Sequence, residues 1–313
     1  MNGGTMRKGL WTFVLLVTMA LPSLGQTPAG AADWANEIET HVRVVPNVTY
    51  LTADGYESKL DLYLPRQGDD PTPTLVYIHG GGWVGGTKES NVMRLMPYLQ
   101  MGWAVVNVEY RLGRVALAPG AVEDCRCALR WIRNNAAEYN IDTSKIVVTG
   151  HSAGGHLSLT TGMLTAAAGF DNRCPKRSPT SADAMVEEMP VAAIVNWYGI
   201  TDVPDLVSGP NAKTYAVAWM GSLPNKDTLG KQLSPLNMVR GDLPPILTIH
   251  GDADPIVPYA HATQLQAKLT QAGVAHRLHT VPGGGHGGFS SKEMSQAYQV
   301  IRAFLAKHVT GSS

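Results

Sequence analysis

Short apolar runs that alternate with helical patterns constrain the fold of this chain more than any other feature. Three of these runs are rich in β-type residues, are bounded by glycine or proline, and are too uniformly apolar for half-exposed strands: residues 74–78, 103–108 and 145–149. Runs of this kind are typical of parallel strands that helices cover on both faces. Their order along the chain predicts a mostly parallel, doubly wound α/β sheet with right-handed crossovers.

The remaining patterns extend this alternation. Residues 49–51 and 60–64 flank the turn sequence Asp54-Gly55, which predicts an antiparallel hairpin. Apolar residues at helical spacing predict three helices, at 120–139, 259–271 and 293–308. Further apolar runs predict three strands, at 192–198, 246–249 and 276–281.

The segment 199–243 interrupts the alternation. It is rich in Gly, Pro and polar residues, with one helical pattern over 215–220. Long connections at the carboxyl ends of strands usually carry function, so we expect a small lid or substrate-shaping loop at about 200–243; the alternative is an excursion without a functional role. The chain has 313 residues, 44% of them apolar, which is enough for one substantial core, and we expect a single domain over 33–310.

The first 25 residues have the layout of a secretory signal peptide. Arg7 and Lys8 precede an apolar stretch over 10–21, and small residues follow at 23 and 25. The stretch is short for a membrane span, although an uncleaved membrane anchor is the alternative. We therefore expect cleavage near Gln26 and a secreted or periplasmic protein that is free of the membrane after the signal is removed.

Charge and cysteine content narrow the set of partners. The formal net charge is zero and no block of like charges occurs, so nothing favours nucleic acid or an anionic membrane surface. In an oxidising compartment Cys127 could pair with Cys174, whereas Cys125 lies on the apolar face of a predicted helix; three free thiols are the alternative. No His or Cys lies at ligand spacing around them, and we expect no metal or cofactor. The sequence does not predict an oligomeric state.

The sharpest functional signal is the motif GHSAG at 150–154, which lies between a predicted strand and a predicted helix. This is the setting that a nucleophile elbow requires. Only small residues fit two positions before and two positions after the serine, as Gly150 and Gly154 do. The turn places the hydroxyl beside a helix N-terminus, where partial positive charge favours a developing anion. The motif therefore predicts Ser152 as a nucleophile, and the alternative is a coincidental turn.

A glycine-rich loop, HGGGW at 79–83, follows the strand that is predicted to end at residue 78. Consecutive glycines let the backbone N–H groups approach a ligand. With the N–H of Ala153, those of Gly81 and Gly82 predict an oxyanion hole, in which each donor stabilises a tetrahedral intermediate by about 3 kcal/mol. A phosphate loop would have Lys or Ser/Thr and a helix start after the glycines, where Trp83 stands here. A flexible glycine loop is the other alternative.

A nucleophilic serine needs a base, and the base needs an orienting carboxylate. After a nucleophile elbow the acid and then the histidine follow in chain order. Two carboxylates compete after the strand at 246–249: Asp254 is farther out in the loop and is preferred, whereas Asp252 is expected to brace the turn. His286, in a glycine-rich loop, is the predicted base. Structural or solvated roles are expected for the other candidates, namely His156, His261, His276 and His279.

Taken together, these motifs resemble those of α/β-hydrolase carboxylesterases. HGGGW, GHSAGG, HGDADPIVP and GGGHGG are similar to segments of hormone-sensitive-lipase-like esterases and of the bacterial feruloyl and acetyl-xylan esterase family. The resemblance runs from about residue 48 to the C-terminus and implies the α/β-hydrolase fold. It also implies the functional residues position by position: Ser152, Asp254 and His286 as the triad, and Gly81, Gly82 and Ala153 as the oxyanion hole.

One departure separates the two groups of esterases. Hormone-sensitive-lipase-like enzymes carry an N-terminal helical cap ahead of HGGG, whereas here the predicted hairpin occupies most of residues 33–79. An open site without that cap suits bulky or polymeric substrates. The expected export agrees with this, because esters of plant polysaccharides occur outside the cell.

The predicted function is hydrolysis of a carboxylic ester through an acyl-Ser152 intermediate, with acetyl or feruloyl esters of plant polysaccharide as the preferred substrates. Aromatic side chains predicted near the carboxyl ends of the strands could stack on a sugar or a feruloyl ring: Trp83, Tyr198 and Trp219, with Trp197 assigned to the core. The alternatives are a general short-chain carboxylesterase or lipase-like enzyme, a serine peptidase of the same fold, and a non-catalytic binding protein.

Overall fold

An eight-stranded sheet forms the centre of the computed structural model, which describes residues 38–66, 70–175 and 188–311 and a few isolated positions outside these ranges. The strands are β1 (Val42–Ala53), β2 (Tyr56–Pro65), β3 (Thr72–Ile78), β4 (Ala104–Val108), β5 (Ile141–His151), β6 (Ala193–Trp197), β7 (Ile246–Gly251) and β8 (His276–Val281). Their order is β1-β2-β4-β3-β5-β6-β7-β8. β1 pairs with β2, and β2 with β4, in antiparallel orientation, and all the other pairs are parallel. The predicted hairpin and the mostly parallel sheet are both confirmed.

Residues 38–41, just before β1, are helical, and eight α-helices connect or flank these strands in the described part of the chain from residue 96 onward. They are α1 (Met96–Leu99), α2 (Gly120–Asn134), α3 (Ala153–Met163), α4 (Val203–Val207), α5 (Thr214–Met220), α6 (Lys226–Gln232), α7 (Ala260–Gln271) and α8 (Ser291–Leu305). The prediction that the second of these continues to residue 139 is wrong. The residue after the helix, Asn135, has φ −107° and ψ 10°, which lies outside the right-handed helical conformation, and residues 135–140 form turns.

Helices cover both faces of the sheet, as predicted. On β3, the alternate residues Val76 and Ile78 belong to one hydrophobic core, and Leu75 and Tyr77 belong to the other. The first core includes apolar residues of α2, α3 and α7, and the second includes residues of α1 and α8. Because both faces are buried, the central strands carry apolar side chains on both faces, which is the pattern from which they were predicted.

The connection between β6 and β7 contains the three short helices α4, α5 and α6. Most of its apolar side chains belong to the core on the α2 side of the sheet, including Val203, Leu206, Ala216 and Met220. α5 coincides with the helical pattern predicted over 215–220. The segment is therefore packed against the body of the protein over much of its length.

A disulfide joins α2 to the loop that precedes β6. Cys127 and Cys174 are bonded, with an S–S distance of 2.09 Å, while Cys125 is a buried free thiol. Contacts group Ile38–Ser313 into one compact unit. The predicted signal peptide, residues 1–25, lies outside the described residues apart from Met1 and Gly3. In the described part of the chain, no helix has the length and apolar character that crossing a membrane requires.

Candidate active site

Ser152 is the single residue between strand β5 and helix α3. Its backbone has φ 58° and ψ −122°, a region that residues with a side chain rarely adopt and that occurs mainly at functional sites. The N–H of Ser152 donates to the carbonyl of Trp197 on the neighbouring strand β6, at 2.9 Å. This bond holds the strained turn at the carboxyl edge of the sheet.

The two glycines that flank this turn have no space for a side chain. A Cβ on Gly150 would overlap the carbonyl oxygens of Ile78 and Gly154, and a Cβ on Gly154 would overlap those of Ile78 and His79. Because the obstacles are backbone atoms at the end of β3 and the start of α3, they cannot move aside as a flexible side chain would. The close approach of α3 to β3 therefore requires glycine at both positions.

A chain of hydrogen bonds links Ser152 to two residues from later loops. Oγ of Ser152 lies 2.8 Å from Nε2 of His286, and Nδ1 of His286 lies 2.7 Å from Oδ2 of Asp254. An ionised carboxylate only accepts hydrogen bonds, so Nδ1 carries the proton and Nε2 accepts from the serine hydroxyl. The Asp254 side chain is fully buried, whereas 18% of the His286 side chain is exposed.

The carboxylate of Asp254 lies among several donors. Its Oδ1 accepts from the N–H groups of Ile256 and Val257, at 2.8 and 3.0 Å. Its Oδ2 also lies 3.2 Å from Nε2 of the buried His250, which is shared with the carbonyl oxygen of Val257 at 3.0 Å. Burial alone would raise the pKa of Asp254. The hydrogen bonds from His250 and His286 outweigh burial, so the pKa lies well below its usual value and the group is ionised.

The other candidates of the sequence lie elsewhere. Asp252 is exposed and accepts from the N–H of Gly283 at 2.6 Å, which braces the loop that carries His286. His156 is buried behind the site and donates through Nε2 to the carbonyl of Leu233, at 2.8 Å. The structure therefore brings Asp254, rather than Asp252, to His286.

A cavity of about 420 Å³ opens beside Ser152. The oxyanion-loop glycines Gly81 and Gly82 line it, with φ values of 123° and 61° that favour glycine. Ala153, the third predicted member of the oxyanion hole, is the first residue of α3, where the backbone N–H has no partner within the helix. The residues that line the cavity are Gly81, Gly82, Arg94, His151, Ser152, Tyr198, Tyr215, Ile256, His286, Gly287 and Gly288.

Of the three aromatic residues predicted to contact the substrate, two do not line the cavity. Trp83 and Trp219 are both fully buried and stack on each other at a ring distance of 4.2 Å. Nε1 of Trp83 donates to Nδ1 of His156 at 3.2 Å, which also ties it to the core. Tyr198 does line the cavity, and its ring lies 4.8 Å from that of His286. Trp197 is buried, as expected.

Comparison with protein families matches residues 60–269 of this chain to the family described as BD-FAE. This match covers the strands and helices from β2 to α7, including Ser152 and Asp254. The chain belongs to the BD-FAE family.

Several relatives of this BD-FAE member are named as esterases or ester hydrolases. Esterase LipC of Mycobacterium tuberculosis is 28% identical over 260 residues, which are 79% of this chain and 61% of LipC. The ethyl acetate hydrolase of Pseudomonas putida is 29% identical over 251 residues, 77% of this chain and 74% of that protein. The chain spans 45–61% of the length of three mycobacterial esterases that it matches.

A solved structure is similar over nearly its whole length. The truncated form of a carbohydrate esterase from gut microbiota superposes with a TM-score of 0.69 and 30% identity, covering 85% of this chain and 97% of that one. The likeness, together with the mostly parallel sheet, confirms the predicted α/β-hydrolase fold for this BD-FAE member.

Four side chains that line the cavity of this BD-FAE chain were not predicted from the sequence: those of Arg94, His151, Tyr215 and Ile256. Two of them stand inside motifs, His151 in GHSAG and Ile256 two residues after Asp254, so their closeness to the site could have been inferred. Nδ1 of His151 bonds to the hydroxyl of Tyr77 at 3.0 Å, and burial together with the charge of Arg94 lowers the pKa of His151 to about 3. His151 is therefore a neutral polar residue in the wall of the cavity.

No group of three or more His, Cys, Asp or Glu that could hold a metal ion occurs among the residues that the structure describes. The polar side chains that line the cavity are Ser152 and His286 of the hydrogen-bonded chain, together with Arg94, His151, Tyr198 and Tyr215. The arrangement provides a hydroxyl, a base that accepts its proton, and backbone donors beside both.

Proposed function

We propose that this protein is a serine carboxylesterase that works through an acyl-enzyme. The observation that carries the proposal is the hydrogen-bonded series from Ser152 through His286 to the buried, ionised Asp254 at the wall of a cavity. A neutral imidazole whose free nitrogen accepts from a serine hydroxyl is the arrangement that activates the oxygen as a nucleophile. The esterase relatives and the carbohydrate esterase of the same fold support this proposal.

In the first half of the reaction, Ser152 Oγ attacks the ester carbonyl while its proton passes to Nε2 of His286. The N–H groups of Gly81, Gly82 and Ala153 stabilise the oxyanion of the tetrahedral intermediate. The protonated imidazole, held by Asp254, then gives its proton to the departing alkoxide, and the alcohol leaves. Water repeats the sequence on the acyl-enzyme and releases the acid and free Ser152.

Replacement of the nucleophile tests this mechanism. Ser152→Ala should lower kcat for p-nitrophenyl acetate by about four orders of magnitude or more, with an unchanged urea unfolding midpoint. A fluorophosphonate probe should add once to the wild type and not at all to Ser152→Ala, as intact mass would show. Ser158→Ala is the matched control, because Ser158 lies on the same helix α3 and bonds to the carbonyl of Gly154. Full turnover by Ser152→Ala would contradict the proposal.

For the substrate, we propose acetyl or feruloyl esters of plant polysaccharide. The membership of the BD-FAE family and the similarity to a carbohydrate esterase support a sugar ester. The similarity to an ethyl acetate hydrolase supports a small acyl group. A cavity of about 420 Å³ holds an acyl group and the adjoining part of an alcohol, so a long polymer would extend beyond it.

A substrate panel separates this proposal from a general short-chain carboxylesterase. Acetylated xylan, methyl ferulate and p-nitrophenyl esters of increasing chain length would be compared by kcat/KM. We expect acetylated xylan or methyl ferulate to exceed ethyl acetate and the longer p-nitrophenyl esters. Equal rates on all short simple esters, with none on acetylated xylan or methyl ferulate, would favour the general carboxylesterase.

We further propose that the protein acts outside the cytoplasm, as a secreted or periplasmic enzyme. The disulfide between Cys127 and Cys174 supports this, because disulfides persist in oxidising compartments. Intact mass of the protein recovered from the periplasm or medium of an expressing bacterium should correspond to a chain that begins near Gln26. Recovery of only the full-length chain in the cytoplasm would contradict the proposal.

A further inference from the structure

Arg94 places a positive charge inside the candidate active site. It is the last residue of a 3₁₀-helical segment, Lys88–Arg94, and it lines the same cavity as Ser152 and His286. No other Lys or Arg, and no Asp or Glu, is among the residues that line this cavity. Because a guanidinium is charged at every ordinary pH, the cavity carries a permanent cation that the proposed ester hydrolysis does not use.

The guanidinium of Arg94 has no acidic partner within the described residues. Its one hydrogen bond there is a long one, from Nη2 to the hydroxyl of Tyr198 at 3.5 Å, although a guanidinium has five N–H donors. The buried arginines of the same chain are paired: Arg111 lies 2.7 Å from Asp124, and Arg126 lies 2.6 Å from Asp171. Arg94 therefore differs from them in leaving most of its donors to the cavity.

The surroundings of Arg94 hold it in place without neutralising it. The hydroxyl of Tyr298 donates to its carbonyl oxygen at 3.4 Å, which anchors the backbone. The neutral His151 and Tyr198 line the cavity beside it. A planar guanidinium with free donors binds a carboxylate through two parallel hydrogen bonds. A neutral ester has no carboxylate and cannot form this pair.

We propose that Arg94 binds a carboxylate of the substrate, so that the preferred esters carry an acidic group close to the scissile bond. This inference rests on the proposed esterase function and extends it to a substrate class. The acidic group belongs either to the alcohol, as in an acetylated uronic acid, or to the acyl part, as in the half-ester of a dicarboxylic acid. Both place one carboxylate within the cavity that holds Ser152.

Two matched substrate pairs test this inference. Singly acetylated methyl glucuronoside is compared with singly acetylated methyl glucoside, which places the charge on the alcohol side. Monoethyl succinate is compared with ethyl isocaproate, in which an isopropyl group replaces the carboxylate on the acyl side. We expect the acidic member of one pair to have a roughly tenfold higher kcat/KM, mainly through a lower KM, since a partly exposed charge-assisted pair contributes at this level.

Variants then assign that preference to Arg94. In Arg94→Gln the ratio of acidic to neutral kcat/KM should fall to about one, while Arg94→Lys should keep part of it. Added NaCl should lower the wild-type ratio, because salt screens the pair; an arginine that only positioned Tyr198 would give no such dependence. Arg43→Gln, which removes an exposed arginine on β1, is the control for a loss of net charge and should leave the ratio unchanged.

The outcomes separate this inference from the function on which it rests. A preference in either pair that disappears in Arg94→Gln supports the inference and shows on which side of the ester the acid lies. A wild type that hydrolyses neutral esters well and prefers neither acidic member, or an unchanged ratio in Arg94→Gln, overturns the inference but not the esterase function. No turnover of any ester overturns the proposed function itself.

Discussion

At the scale of single residues, the ionisation of Asp254 determines what His286 can do. Two backbone N–H groups and two imidazoles surround this carboxylate, and they keep its pKa well below the usual value in spite of burial. An ionised Asp254 requires the proton of His286 to lie on Nδ1, which leaves Nε2 free to accept from Ser152. A protonated Asp254 would lose this control over the tautomer.

His250 should therefore contribute to turnover without touching the substrate. Its Nε2 lies 3.2 Å from Oδ2 of Asp254, it is fully buried, and it does not line the cavity. His250→Phe keeps a ring but removes the Nε2 donor that Asp254 shares with the carbonyl oxygen of Val257, and loss of this partial hydrogen bond to a charged group should lower kcat roughly tenfold. KM should stay the same. Near-ultraviolet circular dichroism would check the fold, and an unchanged kcat would contradict the assigned role.

The sequence predicted the hydrogen-bonded residues Ser152, His286 and Asp254 better than it predicted the other residues that line the cavity. Ser152 and His286 stand in glycine-rich motifs whose order along the chain is constrained by the fold, so short patterns were sufficient to select them. Arg94 and Tyr215 stand outside any motif, and only the folded chain brings them to the cavity. Trp83 was predicted to contact the substrate because indoles suit ring stacking, but the same apolar surface also favours burial.

At the scale of elements, the connection between β6 and β7 supports the oxyanion loop. Trp219 of α5 stacks on Trp83 with the rings 14° from parallel, and a Cβ on Gly82 would overlap the ring of Tyr215. α5 thus packs against two consecutive residues of the oxyanion loop, Gly82 and Trp83. The segment predicted as a lid forms part of the cavity wall through Tyr215.

Loss of this stack should affect both stability and activity. Trp219→Ala removes a fully buried indole and should lower the free energy of unfolding by about 3–5 kcal/mol, measured by urea denaturation. It should also lower kcat, since the loop with Gly81 and Gly82 loses its support. Val217→Ala, on the same helix but 45% exposed, is the matched control and should change stability by less than about 0.5 kcal/mol. Equal effects of the two variants would contradict this view of α5.

The disulfide should stabilise the connection between α2 and the loop before β6. Cys127 and Cys174 are 47 residues apart, and closing a loop of this length contributes about 2–4 kcal/mol, chiefly by restricting the unfolded chain. A reducing agent should therefore lower the urea midpoint of the wild type. It should have no effect on the double variant Cys127→Ser/Cys174→Ser, which retains only the buried Cys125. A wild type that is insensitive to reductant under unfolding conditions would contradict the prediction.

Elements were predictable from the sequence where one local pattern dominates. The central strands are apolar on both faces, and the hairpin of β1 and β2 has a clear turn signal at 54–55. The end of α2 and the short helices α1, α4 and α6 were missed. α2 ends where Asn135 leaves the helical conformation, with φ −107° and ψ 10°. Helices of four to seven residues are too short for an apolar period to appear in the sequence and depend on tertiary packing.

At the scale of the whole molecule, the buried histidines make the fold sensitive to acid. Burial lowers the pKa of His79 and of His156 to about 4, and it also lowers the pKa of His261, although Asp205 opposes this shift. His79 and His156 are fully buried, and His261 is 3% exposed. The folded protein therefore keeps these rings neutral at a pH at which the unfolded chain would protonate them.

This difference has a definite sign. An ordinary histidine titrates near pH 6.5, so below that value the unfolded state binds more protons than the folded state, and the free energy of unfolding falls as the pH falls. The contribution of these histidines is complete above about pH 6.5 and is lost progressively towards pH 4. Asp254 acts in the same direction at lower pH, since its pKa is also depressed in the folded state.

Urea denaturation at pH 7, 6 and 5 would measure this loss. Each buried histidine contributes at most about 1.4 kcal/mol per pH unit, so the wild type should lose several kcal/mol between pH 6.5 and pH 5. His156→Gln keeps an acceptor for Nε1 of Trp83 and a donor for the carbonyl of Leu233, the partners of the two hydrogen bonds of His156, but it cannot titrate. Its slope should be smaller than that of the wild type by about one proton. A wild-type stability that is constant over this range, or an equal slope in His156→Gln, would show that these histidines are not held neutral by the fold.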